Sequence, residues 1–236
     1  TIFFVNKTLG SGIITKKVCR SNSVTKGEIN FLMKAAGSGF AVGDFNNDNL
    51  PDIFLAGEGC NRLYQNVGNH KFKEVTTLKM PTINNKMDST HPIFADINND
   101  GRLDLFIVNR TPPSKLYIQN VNGVFTDKTD ASNILTKKWA LNSNFFDVDN
   151  DGLLDLYIGY YGTINPHHNG KPIFSGKNSL PNQLYKNLGN GIFKDVSVQS
   201  GLNSKSWTMA SVSYDFNNDG FLDIYLANDF GHDQFF

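Results

Sequence analysis

Four nine-residue segments of this chain follow one pattern, and no other feature limits its fold as tightly. They are Asp44-Phe-Asn-Asn-Asp-Asn-Leu-Pro-Asp52, Asp96-Ile-Asn-Asn-Asp-Gly-Arg-Leu-Asp104, Asp147-Val-Asp-Asn-Asp-Gly-Leu-Leu-Asp155 and Asp215-Phe-Asn-Asn-Asp-Gly-Phe-Leu-Asp223. They align without gaps, and their first residues lie 52, 51 and 68 positions apart. Self-similarity at such a period means that each unit is one supersecondary motif, which buries its apolar surface by stacking on its neighbours.

The repeat extends beyond these segments. A short apolar run precedes each one: Phe40–Gly43, Pro92–Ala95, Asn144–Phe146 and Ser211–Tyr214. Another follows: Ile53–Ala56, Leu105–Val108, Leu156–Gly159 and Ile224–Ala227. A third run, Asn61–Asn66, Ser114–Gln119 and Asn182–Asn187, leads through a Gly/Asn turn to a fourth, Phe72–Thr76, Phe125–Thr129 and Phe193–Ser197. β-branched and aromatic runs bounded by turn residues read as strands. Gly68-Asn69, Asn122-Gly123 and Asn190-Gly191 are hairpin-turn signals. Each period is thus expected to be a four-stranded antiparallel unit, and radial stacking of such units gives an all-β fold, a β-propeller. The expectation is a single propeller domain, or part of a longer one, over residues 1–236, with the extra length of the third period forming a long surface loop at 160–181. Gln234–Phe236 resembles the start of a third strand, so the fourth unit is either continued elsewhere or completed by Phe4–Thr8, which matches a fourth strand. The acidic composition agrees with turns rather than helices: 19 of the 22 acidic residues are Asp.

The segments themselves have the chemistry of calcium loops. Calcium takes six to eight oxygen ligands. A tight loop can supply side-chain oxygens from positions 1, 3 and 5, a carbonyl from 7 and a carboxylate from 9. This assigns Asp44, Asn46, Asp48, the Leu50 carbonyl and Asp52 to the first site. The second is Asp96, Asn98, Asp100, the Arg102 carbonyl and Asp104; the third Asp147, Asp149, Asp151, the Leu153 carbonyl and Asp155. The fourth is Asp215, Asn217, Asp219, the Phe221 carbonyl and Asp223. About four Ca2+ per chain are expected. Position 6 requires a left-handed backbone, which Gly101, Gly152 and Gly220 adopt freely; Asn49 replaces Gly in the first loop and tolerates it less well, making that loop the weakest candidate. An EF-hand would need a bidentate Glu at position 12, but that position holds Leu55, Ile107, Ile158 and Leu226. Metal-free Asx turns are the plain alternative for one loop, but carboxylates held at 1, 5 and 9 in four copies argue against it. Magnesium fits less well because it keeps its waters.

These residues resemble the FG-GAP/VCBS-type repeat of integrin α-chain propellers. They are more similar still to the cartilage acidic protein (ASPIC/UnbV-associated) family, whose repeat runs Phe-x-Asp-Val-Thr, then the Asp loop, then Asn-x-Leu-Tyr-x-Asn. Phe4–Thr8 with Ser11–Ile13, and Leu226–Gly231, fit the same pattern. The resemblance implies a calcium-stabilised propeller, seven-bladed in its full form if it follows the integrins, acting outside the cell or at its surface in adhesion, matrix or surface assembly.

The remaining chain narrows function by exclusion. A formal net charge of zero argues against a simple nucleic-acid binder, and no stretch is long and apolar enough to span a membrane. Four bound calcium ions would leave a basic surface suited to anionic partners. The expected partner is an extracellular protein or polysaccharide, with self-assembly as a further option. A lectin-like reading rests on aromatics that could stack on sugars, Trp139, Trp207, Tyr160 and Tyr161, against the plainer reading of blade packing. Catalysis is not expected: there is no nucleophile constellation, phosphate loop or zinc motif, and His167-His168 reads as a solvated pair. Cys19 and Cys60 leave a disulfide and two separate thiols equally open. Asn6-Lys-Thr8 and Asn109-Arg-Thr111 are glycosylation sequons.

Overall fold

The apolar runs become strands because each presents side chains alternately to two sides, and in this chain both sides are needed. In the computed structural model, residues 10–13, 39–57, 59, 61–83, 87–162, 179–229 and 231–236 are described. They form four successive antiparallel sheets, each a propeller-type blade with sequential strand order. Blade 1 comprises β1 (Phe40–Gly43), β2 (Asp52–Leu55), β3 (Arg62–Asn66) and β4 (Phe72–Glu74). Blade 2 comprises β5 (Ser89–Ala95), β6 (Asp104–Asn109), β7 (Lys115–Gln119) and β8 (Phe125–Asp127). Blade 3 comprises β9 (Ala140–Phe146), β10 (Asp155–Tyr160), β11 (Gln183–Asn187) and β12 (Phe193–Asp195). Blade 4 has three strands, β13 (Thr208–Tyr214), β14 (Asp223–Asn228) and β15 (Gln234–Phe235), the last being the expected start of a third strand.

The first strands of successive blades, β1, β5, β9 and β13, are neighbours. Three apolar layers separate the blades. Phe54, Leu63 and Val75 of blade 1 meet Leu105, Ile107 and Tyr117 of blade 2. Phe106, Val108 and Leu116 meet Leu156, Ile158 and Tyr185 of blade 3. Phe146, Tyr157 and Leu184 meet Ile224 and Leu226 of blade 4. Consecutive residues of β6 therefore face opposite blades, and all six residues of β6 and of β10 are buried. A strand buried on both faces reads as a continuous apolar run rather than an alternating one. β2 and β14, in the outer blades, alternate instead, and Phe40, Val42, Met209, Val212 and Tyr214 are exposed on the outward faces.

Two expectations need correction. The fourth strands end at Glu74, Asp127 and Asp195, and the following residues form short helical turns, Thr76–Lys79, Thr129–Ala131 and Ser197–Ser200. The hydroxyl of the residue expected to end the strand takes over the ladder: Thr76 Oγ1 accepts from Leu63 N at 2.9 Å, Thr129 Oγ1 from Leu116 N at 3.1 Å and Ser197 Oγ from Leu184 N at 3.0 Å. A side-chain acceptor leaves the backbone free to turn. The first strands of blades 2 to 4 also begin three or four residues earlier than expected, in the polar stretches Ser89–His91, Ala140–Ser143 and Thr208–Ala210. There, side chains pair polar groups across neighbouring blades, as in Asn142 Nδ2 to the Thr208 carbonyl (3.0 Å) and Thr90 Oγ1 to the Leu141 carbonyl (3.5 Å).

Ser11, one of the few described residues near the start, accepts from Phe72 N with its carbonyl at 2.6 Å, as Ser132 does from Phe193 N at 2.8 Å. Ser11 thus sits against blade 1 as Ser132, in the tail of blade 2, sits against blade 3. Cys19, Cys60, His167, His168, the sequon at Asn6 and most of the 160–181 loop lie outside the described residues. No helix among the described residues is long and apolar enough to cross a membrane.

Candidate metal centres

Each Asp-rich segment closes the hairpin between the first two strands of its blade. The residue before position 1 pairs with position 9: Gly43 with Asp52, Ala95 with Asp104, Phe146 with Asp155 and Tyr214 with Asp223. Between these ends the chain makes one turn, whose shape is set by the loop's own carboxylates. The position-1 carboxylate accepts the N–H of positions 5 and 6 in all four loops, at 3.0 and 2.6 Å for Asp44 and 3.0 and 2.8 Å for Asp147. The position-5 carboxylate accepts the N–H of position 7 at 2.9 to 3.0 Å, in Asp48, Asp100, Asp151 and Asp219. Position 6 has φ of 64° at Asn49 and 79°, 85° and 89° at Gly101, Gly152 and Gly220. Asn49 therefore adopts the same left-handed turn as the three glycines.

Position 9 is the structural clamp. Asp52, Asp104 and Asp155 are fully buried. One carboxylate oxygen accepts the N–H of position 2 (Phe45, Ile97, Val148, at 3.0 to 3.1 Å). The other accepts the N–H of the last residue of the third strand (Asn66, Gln119, Asn187, at 2.7 to 2.8 Å). In the fourth loop Asp223 keeps the first of these bonds, to Phe216 N at 2.9 Å. Burial penalises the charged form and pushes Asp52 and Asp104 up to about 6, against the pull of the two N–H donors; Asp155 is raised for the same reason.

The expected ligands of each loop are thus brought to one turn. In the third loop Asp147, Asp149 and Asp151 each place a carboxylate oxygen within 4.8 Å of the others. Cations already attend two loops: Arg102 pairs with Asp100, and Lys186 pairs with Asp149 and, at 3.1 Å, with Asp151. Among the described residues, the first and fourth loops have no ion pair. The chemistry of the donor set suits a hard cation, and the first loop supplies a direct sign: Asn46 Oδ1, at position 3, is buried without a hydrogen-bond partner while its amide donates to Asp48 Oδ2 at 2.8 Å. An acceptor oxygen left bare beside two carboxylates fits a cation ligand.

Other residues take part that ligand arithmetic did not single out. Position 4 is Asn in every loop and has φ between 56° and 58° at Asn47, Asn99, Asn150 and Asn218. Three of these side chains leave their own blade: Asn47 Nδ2 donates to the Gly101 carbonyl (3.3 Å), Asn99 to Gly152 (2.7 Å) and Asn150 to Gly220 (2.7 Å). In the other direction Gln119 Nε2 donates to the Phe45 carbonyl (2.8 Å) and Asn187 Nδ2 to the Ile97 carbonyl (2.9 Å). The fourfold recurrence of Asn at position 4 was the visible signal; position 4 carries no ligand, so a metal-site reading gives it no role.

Of the aromatics considered for sugar stacking, Tyr160 and Trp207 are fully buried, and Trp207 packs against Tyr161 at a centroid distance of 4.9 Å. These two are blade packing. Tyr161 bonds Asp229 through its hydroxyl, and Trp139 is half-buried. Asn109 of the second sequon is fully buried: it accepts from Ser89 Oγ at 2.7 Å and donates to the Pro113 carbonyl at 2.7 Å.

Among known proteins, the FG-GAP-like repeat matches residues 44–107, 96–158 and 169–226, well over half of the chain. Cartilage acidic protein 1 of Xenopus tropicalis is 28% identical over 213 residues, covering 85% of this chain and 30% of its own length. The Mus musculus protein of the same name is 26% identical over 201 residues, covering 82% and 29%. The chain thus spans less than a third of these relatives. Among solved structures, an Agrocybe aegerita lectin recognising non-reducing terminal N-acetylglucosamine gives a TM-score of 0.45 at 16% identity, covering 84% of this chain and 50% of the lectin chain. The V. cholerae biofilm matrix protein Bap1 gives 0.43 at 14%, covering 84% and 30%.

Proposed function

We propose that this chain, which belongs to the FG-GAP-like repeat family, is a non-enzymatic calcium-binding module of an extracellular or cell-surface protein, presenting its blades to a protein or polysaccharide partner. The observation that carries the calcium reading is the fourfold loop geometry, in which carboxylates at positions 1 and 5 are held toward one turn by the loop's own N–H groups. The unpartnered Asn46 Oδ1 supports it. Asp44, Asn46, Asp48 and Asp52 would hold the first ion with the Leu50 carbonyl, and the corresponding residues of the other loops would hold theirs. A bound divalent cation would supply charge neutralisation and a cross-link between the loop's two ends. The chain's own residues do the rest: N–H donors aim the carboxylates of positions 1 and 5 at one turn, which lowers the ordering cost of binding without removing it. Burial of the position-9 carboxylates raises their proton affinity, a cost that a cation ligand would offset. A role outside the cell agrees with millimolar calcium there, which occupies even weak sites. The likeness to cartilage acidic protein 1 is the support for adhesion or matrix assembly.

The test is an ion count by mass spectrometry with thermal melts in calcium and in chelator. Three to four retained ions and a melt lowered by chelation are expected. A melt indifferent to chelator, with no ion retained, would overturn the reading. A glycan array run with and without calcium then separates a polysaccharide partner from a protein one.

A further inference from the structure

We infer that the loops are coupled to one another, so that calcium binds them cooperatively in neighbouring pairs; this rests on the reading of the loops as calcium sites. The coupling runs through the peptide unit joining positions 6 and 7. In the second loop the carbonyl of that unit, Gly101 O, accepts from Asn47 of the first loop at 3.3 Å, and its N–H, on Arg102, donates to Asp100 Oδ1 at 3.0 Å. In the third loop Gly152 O accepts from Asn99 at 2.7 Å, while Leu153 N–H donates to Asp151 Oδ1 at 2.9 Å. In the fourth, Gly220 O accepts from Asn150 at 2.7 Å, and Phe221 N–H donates to Asp219 Oδ1 at 2.9 Å. One peptide dipole is thus gripped on both sides three times over, by a side chain of the preceding loop and by a ligand carboxylate of its own. The gripping Asn lies between the position-3 and position-5 ligands of the preceding loop. An ion that fixes those two ligands fixes the Asn between them, and with it the peptide that presents position 7 of the next site.

A second, independent line joins the buried carboxylates. Asp155 accepts from Asn187 N; the Asn187 side chain donates to the Ile97 carbonyl; Ile97 N–H donates to Asp104. Asp104 accepts from Gln119 N; the Gln119 side chain donates to the Phe45 carbonyl; Phe45 N–H donates to Asp52. The position-9 ligands of the third, second and first loops are therefore joined through four residues, Asn187, Ile97, Gln119 and Phe45, each of which bonds on both sides. Two sites that share an ordering cost bind cooperatively.

The test is a calcium titration of the full chain, competed against a chromophoric chelator to yield stepwise constants. In the wild type, occupancy of one loop raises the affinity of its neighbour by at least about fivefold, the lower end of ordinary coupling between sites. Asn99→Gly and Asn150→Gly keep the left-handed backbone and delete only the side chain; combined, they lower that ratio, the Asn47 link and the line of buried carboxylates staying in place, while the ion count stays the same. Asn218→Gly is the control, because the Asn218 side chain makes no hydrogen bond among the described residues, and it leaves the ratio intact. Far-UV circular dichroism confirms folding, and Asn99→Gly alone replaces the double variant should that one unfold. Independent binding by the wild type, or an equal loss of coupling in Asn218→Gly, overturns the coupling and leaves the calcium reading standing. No binding by the wild type removes both.

Discussion

Asn187 offers a measurement of how much the links between blades contribute to stability. Its side chain is fully buried and makes three hydrogen bonds: to the Ile97 carbonyl at 2.9 Å, to the Leu154 carbonyl at 3.0 Å, and from Gly189 N at 2.9 Å. Asn66 occupies the same place in blade 1 but sits at the outward face. It keeps the two bonds within its blade, to the Pro51 carbonyl at 3.0 Å and from Gly68 N at 2.9 Å, at a site water can reach. Truncating a buried hydrogen-bonded group costs about 1 kcal/mol for each bond lost, more when the abandoned partner stays dry. Asn187→Ala should therefore destabilise by about 3 kcal/mol, a large share of the ~5–15 kcal/mol typical of a folded domain. Asn66→Ala should cost about 1 kcal/mol or less, since water replaces what is lost. Urea unfolding in chelator, followed by tryptophan fluorescence and circular dichroism, gives both values free of any metal contribution. Equal costs for the two variants would refute the reasoning, because the Ile97 link and the dryness of its site are the only differences invoked.

Three further outcomes follow from particular side chains. Lys186→Met removes the ammonium that Asp149 and Asp151 hold, so the third loop should bind calcium up to about fivefold more tightly at low salt, the scale of an exposed ion pair; weaker binding by calorimetry would contradict this. Expression in a glycosylating host should leave Asn109 unmodified by intact-mass and peptide analysis, because its amide is buried and bonded. His91 is held below the ordinary imidazole value because burial disfavours its cation. The unfolded chain therefore binds the extra proton first, and stability should fall as pH drops below about 6.5; His91→Gln should flatten that limb of a pH–stability curve, and an unchanged limb would count against the assignment.

What could be read from the chain before its structure was the local part. Asp44 bonds the N–H groups of Asp48 and Asn49, four and five residues on, so the loop carries its own instructions. The same holds for the strand at Leu105–Val108, whose unbroken apolar run reports burial on both faces. The ends of elements were harder. Thr76 and Thr129 are good strand residues by propensity, and Ser197 holds the same place in blade 3, but each uses its hydroxyl as the last rung of the ladder, and the chain turns there. Ser89–His91 and Ala140–Ser143 carry too little apolar character to announce strands, because their partners are polar groups of the adjoining blades. Asn99 and Gly152 are 53 residues apart. No local rule joins them, and only the stacking of blades makes the recurrent Asn at position 4 intelligible.

That stacking also explains why polar links occur at both ends of the strands. Apolar burial drives blades together but has no direction, and faces as uniformly aliphatic and aromatic as those of β6 and β10 would tolerate sliding or a change of angle. At the loop end, Asn47, Asn99 and Asn150 fix each blade to the next. At the opposite end, Asn61 Nδ2 donates to Ser89 Oγ at 2.9 Å and Ser89 Oγ donates to Asn109 at 2.7 Å, joining blade 1 to blade 2. Asn182 Nδ2 reaches Thr208 Oγ1 at 2.9 Å, and Thr208 reaches Asn228 at 3.0 Å, joining blade 3 to blade 4. A hydrogen bond has a length and an angle, so two such pins at the ends of one interface leave its apolar middle a single register. The Asp loops thus belong to the fold twice over. Each closes a hairpin within its own blade, and the first three each carry one of the pins that align the next blade.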